Sequence, residues 1–291
     1  ATREALQEAI GEWKMPVLDA ALTAAGAISA PVLSADEWRD LVPPQPLVTI
    51  EKISDSAPRR HDHPRIVDFT RVLAGPTCGR VLAEQGAKVT RIDNPLYPDL
   101  VSYRLDANRN KIEARLDLRQ PDDQAQLLHL LRDADVFLQA YRPGVAENLG
   151  LDAASLGRVN EGLVHASLSA YDEGCIFAGR RGFDSAVQAA CGIALANGNG
   201  TAKLLQTSPL DYAAGFLLAF GVNEALRRRA REGGAWRVRT SLARVASWLL
   251  DLQHDKAPAD NPARLSGMIV QYMRETDCGL GRVRHIASLG L

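Results

Sequence analysis

Asp211 stands three residues after Ser208, where the longest helical stretch of the chain, Pro209–Glu232, begins. With Ser208 as N-cap, Asp211 occupies N3, where the helix dipole and free backbone N–H groups favour an ionised carboxylate. Two roles fit that place. One is the acid of a capping box, Ser-Pro-Leu-Asp, worth about 0.5–2 kcal/mol. The other is a nucleophile, since a carboxylate held ionised at a helix start can open covalent catalysis. Rival chemistries find less support. His61 and His63 sit in a polar stretch with no third ligand nearby and read as solvated, so no metal site is expected. Cys175 and Cys191 have no cationic neighbour in sequence and read as buried or inert thiols. No P-loop and no GxSxG occurs, and Ala74-Gly75-Pro76-Thr77-Cys78-Gly79 stands where a dinucleotide fold would carry GxGxxG.

The elements around Asp211 alternate. RIVDF, KVTRI, ADVFLQ and LVHASLS are short apolar runs suited to strands, and PTCGRVLAEQG, PDDQAQLLHLLRD and VAENLGLDAASLGRV between them read as helices. Such alternation predicts an α/β fold, a Rossmann-like parallel sheet with helices on both faces. Arg181–Ala196 reads as one helix ended by the Asn197–Gly200 loop. Gly233-Gly234 stops the long helix, WRVRTSL is a further strand, and ARVASWLLDL a last helix. Residues 1–41 read as helix, turn and helix, with Ser34-Ala-Asp-Glu as a helix start. Residues 42–64 are Pro-rich and charged and read as a linker. A large domain over 65–252 and a polar C-terminal segment over 253–291 complete the predicted organisation.

Composition narrows the function classes. The 291 residues are 46% hydrophobic and 24% charged, ordinary for a globular protein. Lys and Arg number 34 against 35 Asp and Glu, a net charge of −1 that draws in neither nucleic acid nor an anionic membrane. Aromatic residues make up 5%, too few for a base-stacking platform. The longest apolar run, Ala213 to Val222, is half a bilayer span, and ATREALQEAIGEW lacks the apolar core of a signal peptide. Four cysteines without a CxxC pair fit reduced thiols, and a cytoplasmic enzyme is expected.

Seven segments, in order, then carry a resemblance. They are IVDFTRVLAGPTCGRVLAEQGAKVTRID (66–93), NRNK (108–111), LDLR (116–119), ADVFLQAYRPGVAENLGL (134–151), SLSAY (167–171), RRGFDSAVQAACG (180–192) and SPLDYAAG (208–215). Together the run from Arg65 to Leu252 resembles the family III CoA-transferases, the formyl-CoA and carnitine CoA-transferase group that also contains the α-methylacyl-CoA racemases. The resemblance implies transfer of CoA from an acyl-CoA to a carboxylic acid, with Asp211, in the D-x-x-x-G element ending at Gly215, as the catalytic aspartate. It places CoA binding on Val72, Leu73, Asn94, Leu116, Arg119, Tyr141, Arg142, Asn148 and Leu149. It implies acyl-CoA and coenzyme A as substrates with no permanently bound cofactor, and an interlocked homodimer as the assembly. A racemase and a non-catalytic CoA-binding member are the alternatives on this scaffold.

The chain departs from the family's pattern in places. Ala140 stands where Asn is usual, Leu210 where Gly is common, and Asn148 where some members carry Arg. Residues 10–40 resemble the late part of the family's small domain, yet here they precede the large domain, which points to a fused two-half member or a piece of one. The racemases' Gly-His-Asp element reads Gly182-Phe183-Asp184, and Phe183 cannot shuttle a proton. Transfer rather than racemisation is therefore expected.

Overall fold

The computed structural model describes residues 2–252, 267, 269–279 and 281–287. The N-terminal part holds helices α1 (Arg3–Gly11), α2 (Met15–Ala24) and α3 (Ala35–Leu41), then strand β1 (Thr49–Ser54). There follow β2 (Arg65–Phe69), α4 (Ala74–Glu84), β3 (Lys88–Asp93), α5 (Val101–Ala107), β4 (Lys111–Arg115), α6 (Pro121–Arg132) and β5 (Val136–Gln139). After these come α7 (Val145–Asn148), α8 (Ala153–Val159), β6 (Val164–Ser169), α9 (Asp184–Ala190) and α10 (Ile193–Asn197). The last described elements are α11 (Pro209–Glu232), β7 (Ala235–Ser241), α12 (Leu242–Asp251) and a hairpin of β8 (Met273–Cys278) and β9 (Gly281–Ile286).

Six strands lie parallel in the order β4-β3-β2-β5-β6-β7. The chain leaves β2 in one direction to β3 and β4, then crosses back to β5 and builds outward the other way. That reversal makes β2 and β5 the switch point of a doubly wound sheet, where a crevice opens outside the strand carboxyl ends. Alternation along the strands splits the core in two. Ile66, Val136, Leu138, Val164 and Val238 face the helices α4, α9, α11 and α12, while Val67, Phe69 and Phe137 face α6, α7 and α8. The expected α/β class with helices on both faces is what the structure has.

The long helix α11 is clamped along its length. A Cβ at Gly215 would lie 2.6 Å from the Ala74 carbonyl oxygen of α4, and one at Gly221 2.6 Å from Val238 of β7. Only glycine permits both approaches. At the far end the buried Arg229 guanidinium meets Asp135 at 2.7 Å and the Gly162 carbonyl at 3.0 Å. Helix α3 docks through Trp38, which stacks on Phe177 at 5.7 Å and donates to Ser247 Oγ at 2.9 Å. Its start is a true capping box between Ser34 and Glu37, where the sequence places it.

Four readings need correction. The 42–64 stretch is not only a connection, because Thr49–Ser54 pairs antiparallel with β7 as an edge strand. Arg181–Ala196 is not one helix. Gly192, at φ 90°, breaks it into α9 and α10, and a Cβ there would collide with the backbone of Ala35. Strand β4 and helix α5 were not expected, since KIEAR is polar and mostly exposed at the sheet's edge. The polar C-terminal segment forms the β8–β9 hairpin, while 253–266, with His254, lie outside the described residues.

Candidate active site

The cavity that holds Asp211 opens at the carboxyl end of β2, with a volume of about 510 Å³, inside the roughly 300–1,000 Å³ of small-molecule sites. Three segments wall it: the β2–α4 turn, the loop before α5, and the α9 start together with the loop entering α11. Local strain gathers here. Five non-glycine residues have positive φ among the described residues, and three of them, Val72 (69°), Thr207 (69°) and Ser208 (51°), line this one cavity. A β-branched residue in the left-handed region costs of order 1–3 kcal/mol and persists only where its surroundings hold it. Val72 is held by Asp99, whose Oδ2 accepts the Val72 N–H at 3.2 Å. Asp99 is held in turn by the buried Arg91 guanidinium and by Arg71, Nε to Oδ1 at 3.4 Å.

Ser208 is not the cap of α11. Its backbone is left-handed, and its side chain makes no cap bond. Asp184, the first residue of α9, does that work from across the cavity. Its Oδ2 accepts the N–H groups of Leu210 at 2.8 Å and Asp211 at 3.1 Å, and Gln188 donates to its Oδ1. The helix-start donors expected to hold Asp211 are thus occupied by another carboxylate. Asp211 itself accepts no hydrogen bond from the described residues, and it is 9% exposed. Burial, and then the neighbouring Asp184 carboxylate, push the Asp211 carboxyl up to about 7. This overturns the expectation of a strongly ionised acid and the capping-box role together.

The nine positions assigned to CoA follow the same edge of the sheet. Val72 lines the cavity, and Leu73 is the buried N-cap of α4. Asn94 follows β3 and closes a turn by accepting the Leu96 N–H at 2.9 Å. Leu116 is buried just after β4, and Arg119 is exposed, its guanidinium on Asp117 at 2.8 Å. Tyr141 follows β5 and stacks on Phe69 at 4.4 Å, and burial pushes its hydroxyl up to about 12. Arg142 is exposed beside it; Asn148 ends α7, and Leu149 packs half-buried on the second core. These residues line the carboxyl ends of β2, β3, β4 and β5, but of the nine Val72 alone shares the cavity with Asp211.

Other residues went unread in sequence. Lys111, within NRNK, forms a fully buried pair with Asp68 at 2.7 Å and also donates to the Pro76 carbonyl at 2.8 Å, fixing α4 over β2 and β4. Arg91 lies in the KVTRI strand and Asp99 in the loop beyond it, and no local pattern flags that the two meet as a buried pair. His61 is not simply solvated, since its Nδ1 lies 2.8 Å from Asp135 Oδ2. Cys191 is buried and its thiol is pushed up to about 12, and burial raises the half-buried Cys175 as well. No three His, Cys, Asp or Glu converge on a metal-sized site among the described residues. No described helix is long and apolar enough to cross a membrane.

A buried carboxylate thus lines a crevice at the switch point of a doubly wound sheet, the place where such folds bind their ligands. The chain belongs to CoA-transferase family III, whose model matches residues 62–272. It is 33% identical over 217 residues to "Probable fatty acyl-CoA transferase Rv3272" of Mycobacterium tuberculosis, covering 68% of this chain and 55% of that protein. It is 31% identical over 185 residues to the "Succinyl-CoA--L-malate CoA-transferase alpha subunit" of Chloroflexus aurantiacus, covering 58% of this chain and 43% of that one. A crystal structure of a mutant of Rv3272 superposes with a TM-score of 0.60 at 32% identity, covering 66% of this chain and 56% of that chain. The chain spans about half the length of these relatives.

Proposed function

We propose that this chain moves CoA from an acyl-CoA thioester to a carboxylic acid through a covalent intermediate on Asp211. The observation that carries the reading is the state of that carboxylate, largely buried on the wall of the crevice and accepting no hydrogen bond from the described residues. A carboxylate stripped of water and donors attacks more readily than a hydrated one. An Asp211 oxygen attacks the thioester carbonyl carbon, the C–S bond breaks, and CoA leaves as thiolate, giving an acyl-aspartyl anhydride. The thiolate returns to the aspartyl carbonyl and expels the donor acid as carboxylate, leaving an aspartyl-CoA thioester. An acceptor carboxylate attacks that thioester and frees the thiolate, which then takes the acceptor's acyl carbon and releases Asp211. Each step exchanges one anion for another, so no net proton or electron is consumed. The nucleotide is read as lying along Val72, Leu73, Asn94, Leu116, Arg119, Tyr141, Arg142, Asn148 and Leu149.

Racemisation of the acyl α-carbon needs two free bases. The other acids lining that cavity are Asp184, both of whose oxygens are engaged, and Asp99, which is held by Arg91, Arg71 and the Val72 N–H. The preceding residue, Phe183, carries no proton. The test is mass spectrometry of the intact protein after incubation with an acyl-CoA. An acyl or CoA adduct on Asp211, lost in Asp211→Asn, supports the reading, and no adduct with any thioester defeats it. Rapid solvent deuterium entry at the α-carbon of a 2-methylacyl-CoA without acceptor acid moves the chain to the racemase alternative.

A further inference from the structure

Resting on the transferase reading, we propose that the Asp211 cavity takes an acyl group with a neutral, apolar body and excludes acyl groups derived from dicarboxylic acids. The relatives do not decide this, since one is named for fatty acyl groups and another for succinyl-CoA and malate. The lining does. Leu100, Phe183 and Leu204 keep 64%, 50% and 44% of their surface open although they border a cavity, and Leu205 lies beside them. Large apolar side chains left uncovered around a crevice mark where an apolar ligand replaces water.

The charges point the same way. Arg71 is the single cation among the lining residues, and its Nε lies 3.4 Å from Asp99 Oδ1. Asp99 is bonded on its other oxygen by Arg91, which also reaches Asp93 at 3.5 Å. Two guanidiniums thus face two carboxylates, a balanced set. Asp184, and Asp211 when ionised, then add only negative charge to the wall. The far carboxylate of a succinyl group would enter an apolar site already rich in acids, and a like-charge juxtaposition without a matching cation disfavours binding. A neutral alkyl chain meets no such opposition.

The experiment compares butyryl-, hexanoyl- and succinyl-CoA on the purified protein, by titration calorimetry for binding and mass spectrometry for the rate of adduct formation. Butyryl- or hexanoyl-CoA should form the adduct at least about 100-fold faster than succinyl-CoA, and bind more tightly. Leu204→Arg places a guanidinium at an exposed point of the wall and should narrow that preference at least about tenfold. Leu205→Lys gives a second chance should the first variant fold poorly. Succinyl-CoA reacting or binding as well as butyryl-CoA overturns the inference. Absence of an adduct with every thioester, with the binding order intact, removes the transferase reading and leaves the apolar selectivity standing.

Discussion

A hydrogen-bonded carboxylate is a sluggish nucleophile, and Asp211 accepts no hydrogen bond from the described residues because Asp184 takes the helix-start N–H groups. On the proposed mechanism, Asp211→Asn should lower transfer at least about 10³-fold and abolish the adduct, measured by turnover and intact mass. Its effect on stability has a defined sign. The folded-state carboxyl titrates near 7 against an ordinary 3.8, so the folded protein holds the extra proton between those values. Stability therefore falls as pH rises through that window. Asp211→Asn removes the loss, and its unfolding free energy in denaturant melts should overtake the parent's from about pH 5 upward, by on the order of 2–4 kcal/mol at pH 8. Adduct formation in the parent should in turn rise with pH through a midpoint near 7. Asp184→Asn keeps an oxygen acceptor for the two N–H groups but drops the charge, so the midpoint should move down while KM holds. Asp184→Ala should lose kcat instead, because freed N–H groups then capture Asp211. Identical pH profiles for Asp184→Asn and the parent would leave Asp184 a mere cap. The place of Asp211 at a helix start was legible in the sequence; its protonation was not, because burial and the contact with a residue 27 positions earlier arise only on folding.

At the scale of elements, α11 works because it can lie against α4 and β7 at once. Gly215→Ala places a methyl 2.6 Å from the Ala74 carbonyl, which sits at the start of α4 next to the strained Val72 turn. The variant should lose about 1–3 kcal/mol in a denaturant melt and also lose activity, since the shift passes to the cavity wall. A Gly215→Ala protein as stable as the parent would refute the tight approach. The strand ends after β3, β4 and β5 carry the residues assigned to the nucleotide. Arg119→Ala should raise KM for acyl-CoA several-fold and spare kcat, since a phosphate contact stabilises ground and transition states alike. A pure kcat effect would remove Arg119 from that role. Most element types were readable because apolar runs of four to six residues alternate with helical patterns. Strand β4 escaped because an edge strand needs no apolar face, and the break at Gly192 because its cause is a contact with Ala35, far away in sequence.

Over the whole molecule, apolar surface is left unpaired in ways a lone chain tolerates poorly. Helices α1 and α2 bury no residue, and Trp13, Met15 and Val17 stay about half exposed, as do Phe216 and Phe220 on α11. We expect a homodimer that covers these faces. Sedimentation velocity should show a dimer at micromolar concentration, and a stable monomer would refute it. What the sequence by itself determined was local: the doubly wound alternation, the extent of α11 from Pro209 to Glu232, and Asp211 at its start, since periodicity and helix-end chemistry act over a few residues. The tertiary structure decided which groups meet. It folded Thr49–Ser54 onto the sheet edge, transferred the cap of α11 from Ser208 to Asp184, and enclosed Asp211 beside that second carboxylate. Burial and charge contact depend on residues brought together from distant parts of the chain, and no local pattern encodes them.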